Sequence, residues 1–223
     1  MRTASSWSNL LFSLLQLPKI YPITNVELSG LVHADQVRTL AFVGCRLLQI
    51  REKYGSSVDI FNSVVESLSI ADAFGMTIIL NDRADIAIAS GAHGIHLGQD
   101  DLPPAEARKL LGDEAIIGYS THSVEQAIEA VKLPVDYLAI GPIFSTSTKQ
   151  DPDPVVGLAG IRKVRKAIGD FPLVAIGGID ITNVHSVIAA GADSAAMISD
   201  LFAPRTNLAE RFLALESAAS VKH

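Results

Sequence analysis

Cysteine is almost missing from this chain: Cys45 stands alone. One thiol cannot close an internal disulfide, so a disulfide-stapled scaffold is excluded and a reducing, cytoplasmic setting is expected. Its apolar neighbours make Cys45 a small core residue. Long hydrophobic runs are missing too. No stretch reaches the roughly 18 apolar residues a membrane span requires, so no membrane partner is expected. A basic excess is also missing. The formal net charge is -6, which argues against a nucleic-acid footprint. Two motifs are absent where they would matter. No Gly-x-Gly-x-x-Gly turn follows the first strand candidate, and no Gly-x-Ser-x-Gly elbow occurs. Small-molecule partners remain, and a homo-oligomer is compatible with this composition.

What is present is a core-forming composition. Apolar residues make up 48% of the 223 positions and charged ones 19%, which excludes disorder. Short apolar runs bounded by turn residues fall at 19–24, 46–51, 77–81, 94–97, 115–118, 136–141, 173–177 and 194–199. They read as buried parallel strands. Helical stretches lie between them, among them 33–44, 58–74, 105–111, 124–131 and 161–168. Ser123, with Gln126 three residues on, and Asp180 or Thr182 give helix starts. Gly44, Gly75, Gly91 and Gly191 give helix stops.

Eight such units predict an α/β fold, a single (β/α)₈ TIM barrel spanning 19–223. An open doubly wound sheet is the rival. Residues 1–18 form a separate N-terminal extension. Arg2 precedes a Ser-rich stretch and then Leu10-Leu11-Phe12-Ser13-Leu14-Leu15. The basic start and cleavage site of a secretory signal are not evident. The segment reads as a short amphipathic helix packed on the bottom of the barrel.

In such barrels the chemistry sits at the C-terminal ends of the strands. Strand two ends in Gln49-Ile50-Arg51-Glu52-Lys53, and alternation puts Gln49, Arg51 and Lys53 on one side. A guanidinium, an ammonium and an amide together form a polyanion clamp. Strands three and four end in acid-bearing turns, Asn81-Asp82-Arg83-Ala84-Asp85 and Gly98-Gln99-Asp100-Asp101. Parallel neighbours would bring Asp82 and Asp101 to one divalent cation, with Asp85 and Asp100 as alternatives. Asp82 could instead cap the following helix. His93 and His96 point to opposite faces and are packing or hydrogen-bonding residues rather than a metal pair. Ser120 and His122 share a face, where Ser120 is a ligand contact. The strand-six loop carries Thr146, Thr148 and Lys149, suited to a leaving phosphate and to a closing lid; the acidic, proline-rich 150–156 follows. Gly177, Gly178, Ile198 and Ser199 close strands seven and eight, the usual monophosphate pocket of this fold. The paired glycines would allow backbone N–H groups close to an anion, or alternatively a tight strand–helix turn.

These segments resemble the thiamine phosphate synthase family. The resemblance is carried by QIREK at 49–53, NDRADIA at 81–87, GIHLGQDDLP at 94–103, GYSTHS at 118–123, GPIFSTSTK at 141–149 and AIGGI at 175–179, in order over 21–202. It implies a transferase that joins hydroxymethylpyrimidine diphosphate to hydroxyethylthiazole phosphate, with loss of pyrophosphate before attack by the thiazole nitrogen. It further implies Gln49, Arg51, Lys53, Asn81 and Lys149 on the pyrimidine diphosphate, Asp82 and Asp101 on Mg²⁺, and Ser120 near the pyrimidine. Thr146, Thr148, Gly178, Ile198 and Ser199 would surround the thiazole phosphate. Two alternatives stand beside this reading. A thiazole tautomerase would use His122 for proton transfer but would not need the QIREK clamp or the Thr-x-Thr-Lys loop. A non-catalytic phosphate-ligand-binding barrel is the other.

Overall fold

The structure, a computed structural model, describes residues 15–145, 154–202 and 207–221. Its strands are β1 (Ile20–Pro22), β2 (Leu47–Ile50), β3 (Thr77–Asn81), β4 (Gly94–Leu97), β5 (Ile116–Thr121), β6 (Tyr137–Ile140), β7 (Leu173–Ile176) and β8 (Ser194–Met197). Helices α1 (Val26–Ser29) and α2 (His33–Phe42) follow β1, and α3 (Ser57–Phe74) follows β2. Then come α4 (Ala84–Ser90), α5 (Pro104–Leu111), α6 (Val124–Ala130), α7 (Gly157–Ile168), α8 (Val184–Ala189) and α9 (Leu208–Ala219), one after each later strand. All strand pairs are parallel, in the order β1-β8-β7-β6-β5-β4-β3-β2. A parallel bridge between Ile23 and Gln49, with Thr24 N donating to Gln49 O at 2.9 Å, joins the two end strands. The sheet therefore curls into a (β/α)₈ barrel, and the open doubly wound alternative falls away.

All eight expected strands form. β5 runs to Thr121, beyond the expected end at Gly118, because Ser120 and Thr121 pair with Ala139 and Ile140 of β6. Ser120 thus stands on a strand, a more rigid mount than a turn. The helix signals hold in part: α8 has Asn183, not Asp180 or Thr182, at its N-cap, with Asp180 accepting from Thr182 N and Asn183 N in the turn before it, and the helix-end residues of α2 and α8 are Val43 and Ala190, one before Gly44 and Gly191. Ser123 accepts from Gln126 N at the start of α6, and Gly75 and Gly91 adopt left-handed stops after α3 and α4. The C-terminal α9 was not singled out in the sequence; Asn207 caps it, and it packs on α8, α2 and β1.

Alternation along the strands divides the core in two. Ile20, Leu48, Ile50, Ile78, Leu80, Ile95 and Leu97 face the helices. Tyr21, Leu47, Ile79, Tyr137, Val174 and Ala196 fill the lumen. Burying one such aliphatic side chain contributes about 1.5–3 kcal/mol. Residues 1–14 of the expected N-terminal helix lie outside the described residues. Leu15 and Leu17 carry no helix and pack against the lumen cluster.

Two equivalent clamps tie helices to strands. Arg108 on α5 donates to Asp136 at 2.7 Å, and Asp136 accepts from Ile117 N of β5. Arg165 on α7 donates to Asp193 at 2.5 Å, and Asp193 accepts from Leu173 N of β7. Each arginine also donates to backbone carbonyls of the loop after its own helix. A charge-assisted bond that also satisfies backbone groups sets where each helix ends against the barrel.

Candidate active site

A cavity of about 620 Å³ opens where the strands end, and the C-terminal residues of β2, β3, β4, β5, β7 and β8 line it. Gln49, Arg51, Lys53, Asn81, Asp82, Asp101, Ser120, Gly177, Gly178, Ile198 and Ser199 all face it. Thr146, Thr148 and Lys149 lie outside the described residues.

The clamp forms because β2 keeps its alternation past its last ladder pair. Arg51 N donates to Thr24 Oγ1 at 3.2 Å, which holds the strand end against β1. Desolvation lowers the Arg51 guanidinium from its ordinary pKa, and the Asp82 carboxylate opposes that shift. Glu52, between the two cations, is absent from the cavity wall. Its carboxylate accepts from Lys53 N at 2.8 Å and Tyr54 N at 3.0 Å and meets His33 at 3.3 Å. The acid within QIREK therefore shapes the loop without cancelling the clamp.

The two acid turns converge. Asp82 holds φ 61, and its N–H donates to His96 O of the neighbouring strand at 2.9 Å. A left-handed backbone at a non-glycine residue is strained outside Asn and Asp. The turn therefore aims Asp82 inward. It does not cap α4, which has Arg83 at its N-cap and no side-chain capping bond. Asp101 Oδ2 accepts from Gly98 N at 2.6 Å. Burial, then the charge of Asp101 and a hydrogen bond with it, pushes the Asp82 carboxyl up to about 6. Asp85 is drawn off by Arg83 at 2.9 and 2.6 Å outside the cavity, which removes it as an alternative. Asp100 lines the mouth.

Among the described residues no cluster of three or more His, Cys, Asp or Glu side chains is set for a metal. The donor set is two carboxylates that burden each other electrostatically. That matches Mg²⁺, which keeps waters and shares substrate phosphates rather than filling a protein cage. It does not match Zn²⁺, which favours nitrogen and sulfur ligands.

Deeper in the lumen lies a chain of polar side chains that the motifs alone did not reveal. Ser120 Oγ meets His96 Nε2 at 2.9 Å, and His96 Nδ1 meets Tyr137 Oη at 3.0 Å. Tyr137 Oη meets Tyr21 Oη at 3.0 Å, and Gln49 Nε2 donates to Tyr21 Oη at 3.3 Å. The signal in the sequence was inward alternation on β1, β4 and β6. Ser120 thus pairs with His96 rather than His122, whose Nδ1 donates to Gly141 O at 2.7 Å. His93 accepts from Ile78 N at 3.0 Å and faces Asp72, away from the site.

Gly177 and Gly178 have φ of 102 and 64. A Cβ on Gly178 would stand 2.6 Å from Ser145 O and 2.7 Å from Phe144 Cβ. The loop after β6 packs where that side chain would be, and Phe144 N donates to Gly177 O at 3.0 Å. The turn reading of these glycines therefore has direct geometric support, alongside their position on the cavity wall.

Comparison with known proteins decides the family. Residues 20–201 match the family model of thiamine monophosphate synthase. The chain belongs to that family. Thiamine-phosphate synthase of Koribacter versatilis (strain Ellin345) is 48% identical over 206 residues, which cover 89% of this chain and 96% of that protein. Thiamine-phosphate synthase of Albidiferax ferrireducens is 41% identical over 190 residues, 85% of this chain and 86% of that protein. Among solved structures, thiamine phosphate pyrophosphorylase from Pyrococcus furiosus superposes with a TM-score of 0.81 at 30% identity, over 90% of this chain and 95% of that one. Membership in the thiamine monophosphate synthase family makes this barrel a transferase. No helix among the described residues is long and apolar enough to cross a membrane.

Proposed function

We propose that this barrel is a Mg²⁺-dependent thiamine-phosphate synthase acting on hydroxymethylpyrimidine diphosphate and hydroxyethylthiazole phosphate. The observation that carries the reading is the pairing of Asp82 and Asp101 opposite Arg51 and Lys53 at one cavity mouth. Two carboxylates and two cations there suit a metal-bound diphosphate better than any neutral ligand. Asp82 and Asp101 would hold the Mg²⁺, which when bound would supply Lewis acidity to the leaving diphosphate and neutralise its charge.

The chain's own residues do the rest. Arg51 and Lys53 grip the diphosphate oxygens as the methylene C–O bond breaks and the electron pair leaves with oxygen; Lys149 joins them in this reading. Gln49, Asn81 and Ser120 orient the pyrimidine. Thr146, Thr148, Gly177, Gly178, Ile198 and Ser199 hold the thiazole phosphate, so that the thiazole nitrogen lone pair meets the methylene carbon and forms the new C–N bond. Preorganised charge aimed at a leaving group is usually the largest single contribution to such catalysis. A reducing, cytoplasmic setting goes with the lone Cys45, which is buried and donates to Leu47 O.

The test is direct. The chain is incubated with both phosphorylated halves and Mg²⁺, and thiamine phosphate and pyrophosphate are followed by mass. Product that vanishes with chelator and returns with Mg²⁺ supports the reading. Undiminished product in excess EDTA overturns the metal assignment, and no product under any condition overturns the activity.

A further inference from the structure

A third arginine–aspartate clamp stands at the opposite end of the barrel from the other two. Asp136 and Asp193 come directly before β6 and β8, so their clamps sit where strands begin. Asp200 follows Ile198 and Ser199 beyond β8, where strands end and the cavity opens. Arg211 on α9 donates through Nε to Asp200 Oδ2 at 3.1 Å and to Asp200 O at 3.2 Å, and through Nη2 to Oδ1. One guanidinium thus holds both carboxylate oxygens and the backbone carbonyl of a single residue, a fork that a lysine cannot copy. This acid is also the most deeply placed of the three. The Asp200 side chain is 11% exposed, against 35% for Asp136 and 47% for Asp193.

The clamp holds the turn that carries Ile198 and Ser199, both on the cavity wall. Leu201 N donates to Ile198 O and Phe202 N to Ser199 O, each at 3.2 Å, so the chain bends at once after the strand. Amide groups that open such a turn have no partner inside it and suit an anion. The buried Leu201 side chain anchors the turn from within. The neighbouring loop after β7 is braced as well. Asn183 Nδ2 donates to Gly178 O at 3.1 Å, and Asn183 Oδ1 accepts from Asp180 N at 2.9 Å. The Asp180 carboxyl is held below its ordinary range, first by the Thr182 hydroxyl and to a lesser degree by the Arg211 charge. Arg211 thus pairs with the acid of one loop and faces the charge of the other. Arg211, Asp200, Asp180 and Asn183 are all absent from the cavity wall.

We propose that Arg211 and Asp200 are a positioning pair for the monophosphate end of the thiazole substrate, fixing the β8 turn in the shape that presents Ile198 and Ser199 to the anion. The inference rests on the synthase reading and deepens it with two residues from outside the cavity wall. Neither is a catalytic residue; they act through the backbone of the turn. Stability alone is a poor account of such a pair, because desolvation of two buried charges offsets much of their attraction. What the fork supplies is direction. It fixes Asp200 O together with the carboxylate, so the turn has one orientation. A phosphate bound by backbone groups needs that orientation, since a shift of about 1 Å spoils several hydrogen bonds together.

The test is steady-state coupling with Mg²⁺, with the KM of each substrate measured at saturation of the other. Arg211→Ala should raise the KM for hydroxyethylthiazole phosphate by about tenfold or more and leave that for hydroxymethylpyrimidine diphosphate within about twofold. Arg165→Ala, which cuts a clamp at the far end of the barrel, is the matched control and should leave both KM values in place. Asp200→Asn combined with Arg211→Leu removes both charges. It should recover the melting temperature lost in Arg211→Ala, because no carboxylate is left buried and unpaired. It should still keep the raised thiazole phosphate KM, because Asp200 O is not held. Arg211→Lys keeps the charge but loses the fork, and covers the case of variants that fail to fold. Its thiazole phosphate KM should rise by about threefold or more, again without the other. A wild-type thiazole phosphate KM in the folded variants, or an equal rise in both KM values, overturns the proposal and leaves the synthase reading intact. Wild-type protein that makes no thiamine phosphate overturns that reading and the positioning role with it.

Discussion

Asp82 and Asp101 lie within hydrogen-bonding reach of each other at the cavity mouth, and burial with Asp101 lifts the Asp82 carboxyl from 3.8 to about 6. A pair that repels itself marks a place where positive charge belongs. The linkage has a definite sign. A carboxyl with a raised folded pKa favours folding while protonated, and that contribution is lost as pH rises through about 6. The metal-free protein should therefore be less stable at about pH 8 than this group allows at about pH 5, and Mg²⁺ should raise the melting temperature more at the higher pH. Asp82→Asn removes the charge and keeps a residue that tolerates φ 61. It should raise the metal-free melting temperature at about pH 8 and abolish the Mg²⁺ response. A variant less stable than wild type there would contradict the assignment.

Choice among the acids gives a second prediction. Asp101 faces Asp82 and is fixed by Gly98 N, whereas Asp100 lines the mouth beside it. Asp101→Asn should raise the Mg²⁺ concentration needed for half-maximal activity by at least about tenfold, and Asp100→Asn by much less. Equal shifts in a metal titration would mean that both serve the cation.

Arg51 and His122 separate the synthase from the tautomerase. Arg51→Ala removes a charge-assisted contact to the leaving diphosphate and should lower kcat/KM for coupling by about 30-fold or more, roughly 2 kcal/mol. His122, anchored on Gly141 O, should matter far less to coupling. Steady-state kinetics on both variants decide. Wild-type coupling in Arg51→Ala, with His122→Ala alone losing activity on a thiazole carboxylate tautomer, would favour the rival.

Strand ends were the legible part of this chain. Inward alternation and acid-bearing turns sufficed to bring Gln49, Arg51, Asn81, Asp82 and Asp101 to one cavity, because parallel register fixes where each strand stops. The period of two also predicted that His93 and His96 would part company. What stayed hidden was what each inward residue touches. Tyr137 and His96 are 41 residues apart, and only the register of β4, β5 and β6, which puts Gly118 between them, makes them neighbours. The extra length of β5 was hidden for the same reason: Ser120 is a strand residue because of its partner on β6, not because of its own sequence. The turning away of Glu52 involves, beside the N–H groups of Lys53 and Tyr54, a distant partner, His33 on α2.

The two arginine clamps predict stability effects without loss of function. Arg165 lies in α7, away from the cavity, and bonds Asp193, Gly169 O, Phe171 O and Gly191 O. Arg165→Ala leaves a partly buried carboxylate and several carbonyls without that donor, which should cost about 2–4 kcal/mol. Denaturant melts would show the loss while the KM for either substrate stays put. A change under about 0.5 kcal/mol would class the clamp with ordinary surface pairs.

Gly178 brings the last prediction, and Gly44 is its control. Both residues have positive φ, 64 and 91. A Cβ on Gly44 meets nothing within 4 Å, whereas one on Gly178 meets Ser145 O and Phe144. Gly44→Ala should therefore incur only the left-handed backbone cost, about 1–2 kcal/mol. Gly178→Ala adds overpacking against the β6 loop, for about 3 kcal/mol or more in all. The loop must move to admit the methyl group, and the proposed thiazole phosphate pocket lies beside it. The KM for thiazole phosphate should then rise in Gly178→Ala while binding of the pyrimidine diphosphate, held from β2 to β5, changes little. Equal melting temperatures for the two variants would show that the β6 loop yields freely, and an unchanged thiazole phosphate KM would remove Gly178 from that pocket.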